Sequence, residues 1–313
     1  MTALETAPRA RGRRLSHRSW RAPYLFLAPA GILFLAFLAI PIAYALYLSV
    51  RGMQIEDSGP FGVQTDAWVG FSNYLQALTD AEFLAGFTRL LVYGLLAVPL
   101  TLGLALLFAL LLDLPRVRAV RFSRTAIFVP YAVPGVIASL LWGFLYLPTT
   151  SPLNWVLEQL GLPGVELLSG SLLYPAIANI AVWTGVGFNM IIIYTSLRGI
   201  PEEIYEAARL DGATETAISW RIKIPLVAPA LVLTGLFSLI GTLQLYGEPT
   251  TLRPMTTEIS QTWVPLMKIY RDAFARDDMW LAAASSVLLA VGTLILSVIL
   301  LRLTQRSAFG GDE

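Results

Sequence analysis

Long apolar stretches alternate with polar stretches along the whole chain. Each apolar stretch is about twenty residues or longer, the length that an α-helix needs to cross a bilayer. The pattern therefore predicts an all-α, polytopic membrane protein with six membrane-spanning helices, called spans one to six below. The predicted spans are residues 23–50, 90–112, 125–147, 172–197, 224–247 and 281–303.

The distribution of positive charge orients these spans. Basic side chains are enriched in the cytoplasmic segments of membrane proteins. Arginines crowd residues 1–22 and 113–124, and four basic residues lie within 198–223, whereas 148–171 hold none. Both termini are therefore expected in the cytoplasm, with residues 304–313 as a second tail. A nucleic-acid-binding arm and a cleaved signal peptide are alternatives for the N-terminus, but the first apolar run is too long for a signal.

Composition narrows the range of possible functions. Hydrophobic residues make up 56% of the chain and charged residues 14%, which excludes an ordinary soluble domain and indicates a multi-pass protein of the cell membrane. The chain has no cysteine, and its one histidine, His17, lies among arginines near the start. Neither lysine lies in a glycine-rich phosphate loop. We therefore expect no covalent catalysis, no metal site, no cofactor and no ATP hydrolysis by this chain.

One polar stretch, residues 201–231, separates spans four and five. Pro201 suits the first helical position, and the two glutamates after it favour a helix start. Gly212 provides a position that tolerates a left-handed backbone, and Thr214 can cap a second helix. In that second helix the isoleucines lie near one face, with Lys223 beside them. The stretch is predicted to form two short helices joined by an elbow.

The same stretch carries a spaced motif. It begins with EAARLDGA at 206–213 and continues with Trp220, Ile222, Ile224, Pro225 and Pro229. The motif resembles the EAA loop of permease subunits in ATP-binding-cassette (ABC) importers, a coupling helix that docks on a cytoplasmic ATPase. Ser219 departs from the family, which usually has an aromatic residue there. An ordinary helical hairpin is the alternative, although the whole spaced pattern favours the motif. The resemblance implies a type I importer permease fold and an ATPase-docking surface at Glu206, Ala207, Ala208, Asp211, Gly212 and Ala213.

Neutral hydrogen-bonding and aromatic side chains lie near the middle of spans four and five, where ionisable residues are almost absent. An ion-driven carrier commonly needs buried carboxylates there, whereas a sugar needs amides, hydroxyls and aromatic faces. The residues of this type are Trp183, Thr184, Phe188, Asn189, Ser238, Thr242, Gln244 and Tyr246.

The whole chain also resembles the carbohydrate-uptake branch of these permeases, which includes the maltose type. That branch places substrate contacts in the spans beside the EAA loop, which adds Gly185 and Leu245. For any single residue, helix packing is an alternative, and Tyr246 can serve as an interfacial anchor. The predicted substrate path is Thr184, Gly185, Phe188, Asn189, Ser238, Thr242, Leu245 and Tyr246.

The resemblance also implies partners. They are a second permease chain in a heterodimer, two ATPase subunits that bind ATP and magnesium, an extracytoplasmic solute-binding protein, a carbohydrate substrate and the surrounding lipid, with no nucleic acid. A glycerol phosphate cargo is an alternative, but its charge calls for arginines along the path, and none lies near the middle of a span. A stand-alone secondary carrier and an intramembrane enzyme are further alternatives.

Overall fold

Helices form most of the chain that the computed structural model describes, which is residues 22–55, 64–115 and 117–308. Apart from Ala22, the predicted N-terminal tail lies outside these residues, as do Arg116 and residues 309–313. The chain divides into two compact units, Met1–Tyr47 and Leu48–Glu313. The prediction of a predominantly helical fold is confirmed.

The first unit contains one long apolar helical run. It consists of α1 (Ala22–Phe34), a π-helical segment (Leu35–Ala39) and most of α2 (Ile40–Ser49). The run Tyr24–Ser49 has 26 residues, which is long enough to cross a membrane.

The second unit begins with a short hairpin that the sequence did not predict. Strand β1 (Arg51–Ile55) pairs antiparallel with β2 (Gln64–Trp68). The predicted short amphipathic helix follows as α3 (Ser72–Thr79). Asn73 donates from Nδ2 to the carbonyl oxygens of Ser49 and Arg51, so α3 is held against the start of the hairpin.

Two long helices form the centre of the second unit. Helix α4 (Ala81–Leu112) begins nine residues before predicted span two, and α8 (Leu173–Leu197) packs along it. The early start of α4 follows from Asp80, whose side chain accepts a hydrogen bond from the Phe83 N–H at 2.9 Å. Small buried residues of α4 allow close approach to α8. One apolar core between these helices includes Ala105, Ala109, Met190, Ile193 and Leu197.

Span three is sharply bent, as its prolines predict. Helix α5 (Val120–Phe128) and the 3₁₀ segment Val129–Ala132 lead to α6 (Gly135–Tyr146), at 95° to the first part. Pro130 and Pro134 lie at the bend, where proline removes helical hydrogen bonds.

The remaining helices complete the second unit. They are α7 (Pro152–Gln159), α9 (Glu202–Leu210), α10 (Glu215–Ile218), α11 (Ile224–Leu226), α12 (Ala228–Leu243), α13 (Gly247–Leu252), α14 (Pro265–Phe274) and α15 (Met279–Ala308). Within the described residues, four helices are long and apolar enough to cross a membrane, or up to six if each of two bent pairs is one span. The six-span arrangement with cytoplasmic termini stays a prediction.

Candidate functional site

The 201–231 loop folds as two short helices and an elbow. Helix α9 starts at Glu202, with Pro201 as the residue before it rather than its first residue. Gly212 has φ +84°, a backbone conformation that favours glycine. Thr214 accepts a hydrogen bond from the Ala217 N–H at 3.2 Å and so caps α10. An ion pair between Arg209 and Glu215, 2.8 Å, bridges the elbow.

The second part of the loop differs from expectation at Lys223. After α10 the chain passes through a π-helical segment, Ser219–Lys223, before α11. Lys223 was expected beside the apolar face, yet its side chain is buried. The side chain of Asp113, at the end of α4, is buried as well, with its Oδ2 2.6 Å from Lys223 Nζ. The mutual attraction of the two charges offsets the cost of burying them.

The predicted docking residues lie around the elbow. Four of them, Glu206, Ala207, Asp211 and Gly212, are exposed, and Ala208 and Ala213 are half-buried. A groove of about 380 Å³ runs beside the elbow, and Asp211, Gly212 and Ala213 contribute to its wall. Leu210 is not among the docking residues predicted from the sequence, although its side chain is 89% exposed at the elbow. The surface therefore combines small residues, the two acidic residues Glu206 and Asp211, and the exposed apolar side chain of Leu210.

A second feature is a cavity of about 350 Å³ between α4, α8 and α12 and the segment after α12. Six of the eight predicted path residues line it: Thr184, Gly185, Asn189, Ser238, Thr242 and Leu245. The other lining residues are Tyr93, Ala97, Val98, Thr101, Ala181, Gly241, Gln244 and Glu248. The cavity thus gathers polar side chains from helices that are far apart in sequence.

Two predicted path residues do not line this cavity. Phe188 stacks on Tyr131, with ring centroids 4.8 Å apart, and Tyr246 packs against Tyr270 at 5.7 Å. Both take part in aromatic packing between elements. Thr184 and Phe188, four residues apart on α8, therefore have different surroundings despite their spacing.

The contribution of α4 was missed by the sequence reasoning. Tyr93, Ala97 and Thr101 are spaced four apart, so they share one helix face, and all three line the cavity. The signal in the sequence was a tyrosine and a threonine on one face of an otherwise apolar helix. Glu248, in the first turn of α13, was not among the predicted path residues, yet it lines the cavity too.

One buried hydrogen-bond acceptor of the cavity wall has no donor among the described residues. Asn189 is 5% exposed and donates from Nδ2 to the Gly185 carbonyl oxygen at 2.8 Å, while its Oδ1 is buried with no hydrogen-bond partner among the described residues. Burial raises the pKa of the Glu248 carboxyl, an effect that a hydrogen bond from its own backbone N–H opposes. No arginine, lysine or histidine is among the described residues that line the cavity. The wall is therefore suited to a ligand that donates hydrogen bonds.

Apolar helices long enough to cross a membrane, together with a polar cavity between helices, are typical of membrane transport proteins. The chain belongs to the family described as "Binding-protein-dependent transport system inner membrane component", whose model matches residues 82–308. It is accordingly a multi-pass membrane protein and the permease of an ABC importer rather than an enzyme.

Curated relatives match the chain over most of its length. The sn-glycerol-3-phosphate transport system permease protein UgpA of Agrobacterium fabrum is 30% identical over 293 residues, covering 92% of this chain and 96% of the relative. The protein of the same name from Rhizobium meliloti is 31% identical over the same shares.

Solved structures resemble this fold. One is a bacterial ABC transporter involved in the import of the acidic polysaccharide alginate, with a TM-score of 0.77, 23% identity and coverage of 91% of this chain and 95% of the other. A second shows a bacterial alginate ABC transporter in complex with an alginate pentasaccharide-bound periplasmic protein, with a TM-score of 0.76 and 22% identity. At these identities the likeness extends to the fold alone.

Proposed function

We propose that this permease forms the translocation path for a neutral sugar or oligosaccharide. The observation that carries the proposal is the cavity between α4, α8 and α12, whose described lining holds hydroxyls, amides and one carboxyl but no basic residue. Sugars present many hydroxyl donors, which the free Oδ1 of Asn189 and the carboxyl of Glu248 can accept.

A phosphorylated cargo is the second candidate, favoured by the names of the relatives. Phosphate is bound best by arginine, lysine or clustered backbone N–H groups. The carboxyl of Glu248 opposes an anion in this cavity. Glycerol phosphate would therefore require basic groups supplied by a partner chain.

Coupling is proposed to occur through the 201–231 loop. Its exposed elbow, built on Gly212 with small residues around it, is shaped for close approach to a partner surface. We expect two separate ATPase subunits, which bind ATP and magnesium, to contact this elbow. Their closure would move the loop as a rigid body and switch the cavity between inward-open and outward-open states. A second permease chain and an extracytoplasmic solute-binding protein complete the proposed importer.

Co-purification tests the docking role. The chain is co-expressed with its candidate ATPase, and the double variant Glu206→Ala, Gly212→Asp is compared with wild type. The matched control is Glu158→Ala, Gly161→Asp, which makes the same changes at an exposed glutamate and at a glycine with φ +69° and open space around it. The ATPase should remain with wild type and control but not with the elbow variant. Equal retention by all three would contradict docking at the elbow.

Uptake by the complete importer tests the cargo. Proteoliposomes receive the importer with its solute-binding protein and are offered radiolabelled neutral di- and trisaccharides or sn-glycerol 3-phosphate. We expect ATP-dependent uptake of a neutral saccharide. Uptake of glycerol phosphate with none of the saccharides would contradict the neutral cargo while leaving the permease role intact.

A further inference from the structure

A buried ion pair joins two helical segments that are 110 residues apart in sequence. Lys223 Nζ lies 2.6 Å from Asp113 Oδ2, and the side chains are 2% and 3% exposed. Asp113 is the C-cap residue of α4, and Lys223 ends the π-helical segment of the 201–231 loop. The pair therefore connects this loop directly to α4.

Two further side chains complete the cluster. Arg198, at the end of α8, approaches Asp113 Oδ1 with its Nη1 at 3.8 Å. The Tyr205 ring of α9 lies under Lys223, whose Nζ is 4.9 Å from the ring centroid. Burial, with the nearby Asp113 charge, raises the pKa of Tyr205 to about 12, so its hydroxyl stays neutral. Four segments thus meet at one charge pair.

The chain's connectivity gives this pair a particular role. The loop is covalently continuous with α8 on one side and, through α11, with α12 on the other. Helices α8 and α12 are two walls of the cavity, and movement of the loop reaches them directly through the main chain. Helix α4 forms the third wall, with Tyr93, Ala97 and Thr101, and has no such connection. Its end must be linked to the loop by side chains.

Apolar packing also joins α4 to this region, since Val227 belongs to the same core cluster as Ala105 and Ala109. Apolar surfaces can slide past each other, whereas an ion pair at 2.6 Å holds one geometry. Removing one partner of such a buried pair leaves an uncompensated charge at high free-energy cost. The Arg209–Glu215 pair within the loop is only half-buried, so removing one of its partners costs less free energy.

We propose that the Asp113–Lys223 pair is the joint that transmits movement of the 201–231 loop to α4, and through α4 to the third wall of the cavity. Thr101 lies twelve residues before Asp113, or roughly 18 Å along the helix at about 1.5 Å per residue. Asp113 and Lys223 are positioning residues, because they act on the cavity through the helix. This inference rests on the proposed ATP-driven function.

Single-cysteine reporters can test the joint, because the chain has no cysteine of its own. Val98→Cys reports the α4 wall and Ser238→Cys reports the α12 wall. The complete importer in inverted vesicles is labelled with fluorescein maleimide, with and without ATP plus vanadate. The joint is removed by Asp113→Leu, Lys223→Met, which leaves no unpaired buried charge, so the permease is expected to fold.

With the joint intact, both reporters should change their labelling rate on addition of ATP and vanadate. In the joint variant the change at Val98→Cys should be lost, the change at Ser238→Cys should persist, and the ATPase should still co-purify. The charge exchange Asp113→Lys, Lys223→Asp should restore part of the response at Val98→Cys. The control, Arg51→Met with Asp66→Asn, removes a more exposed ion pair of the β1–β2 hairpin, away from the loop and the cavity, and should change neither reporter.

An unchanged response of Val98→Cys in the joint variant, with the ATPase bound, would overturn the proposal. Loss of the response at both positions would also overturn it, because the defect would then not be confined to α4. If neither reporter responds with the native pair present, ATP-driven gating is absent, and the proposed function itself is wrong.

Discussion

Burying a single polar side chain costs free energy unless the side chain is paired. The chain has two lysines, Lys223 and Lys268, and both are 1% exposed. Lysine is almost never fully buried unless it is paired. Lys223 pairs with Asp113, and Lys268 contacts Asp80 and Asp272. Asn189 differs, since its buried Oδ1 has no donor within the described chain. A buried polar group without a partner needs an explanation, and the proposed cargo would supply the missing donor.

At the residue scale, Asn189→Leu should impair transport. The substitution removes an acceptor that a cargo hydroxyl would use, and a lost hydrogen bond of this kind costs about 1 kcal/mol, or roughly a fivefold loss of uptake. Uptake of radiolabelled saccharide by the complete importer measures the effect. Thr195→Val on the same helix, exposed and outside the cavity, is the control. Equal uptake by both variants would show that Asn189 does not contact the cargo.

At the scale of elements, close backbone contacts and helix caps position the cavity walls. A Cβ added at Gly187 of α8 would lie 2.7 Å from Phe128 Cα and would also meet the Ile127 carbonyl oxygen. These are backbone atoms of α5 and its end, so they cannot turn aside as a flexible side chain can. The bend after α5 therefore requires glycine at this contact.

Gly187→Ala should lower stability by about 1–3 kcal/mol, because the new methyl group overpacks the contact. Gly103→Ala is the matched control, since a Cβ there meets nothing within 4 Å, and alanine favours helix over glycine by about 1 kcal/mol. Thermal unfolding of the purified permease in detergent compares the two. A melting temperature for Gly187→Ala at or above that of wild type would contradict the close approach.

The start of α4 is held by charge as well as by its cap. Burial tends to raise the pKa of Asp80, but the hydrogen bond from the Phe83 N–H and the Lys268 ammonium group outweigh this effect, so the pKa lies below its ordinary value of 3.8. The ionised carboxyl therefore stabilises the fold at neutral pH. This contribution should disappear as the pH falls through the depressed pKa, where the carboxyl becomes protonated.

Asp80→Asn keeps a capping side chain but removes the charge. We expect a loss of about 1 kcal/mol at pH 7, which shrinks as the pH falls below 3.8. Asp66→Asn is the control, since its pair with Arg51 is more exposed. Melting temperatures at pH 7, 5 and 3.5 (chosen to bracket the ordinary carboxyl pKa) provide the measurement. A difference between Asp80→Asn and wild type that does not depend on pH would contradict the role of the charge.

At the scale of the whole molecule, the two bent helix pairs decide how many times the chain crosses the membrane. If each is one span, the number of crossings is six, and α7 and the 201–231 loop then lie on opposite sides. The loop must face the cytoplasm for an ATPase to reach it. The basic residues near it agree with that side.

Single cysteines in the cysteine-free chain test this topology. Leu160→Cys, after α7, should be labelled by a membrane-impermeant maleimide only in right-side-out vesicles, and Asp211→Cys only in inverted vesicles. Both positions are exposed, so access is decided by the side of the membrane. The reversed pattern, with Leu160→Cys labelled only in inverted vesicles and Asp211→Cys only in right-side-out vesicles, would contradict six spans with a cytoplasmic N-terminus, and so would labelling of both from the same side.

Much of the fold follows from local properties of the sequence. The length and hydropathy of each apolar run predicted the helices, Pro130 and Pro134 predicted the bend in span three, and Gly212 with Thr214 predicted the elbow and its cap. Each of these depends on residues close together along the chain. Local sterics and local hydrogen bonds therefore suffice to specify them.

Other features of the fold and the cavity depend on how helices that are distant in sequence pack together. This packing makes Asp113 and Lys223 a buried pair, brings Tyr93 and Thr101 to the same cavity as Asn189, and leaves Phe188 stacked on Tyr131. Periodicity shows which residues share a helix face but not which helix that face meets. Contacts between residues far apart in sequence, such as Asp113 with Lys223 and Asp80 with Lys268, depend on which helices meet, and this is decided only when the helices pack against one another.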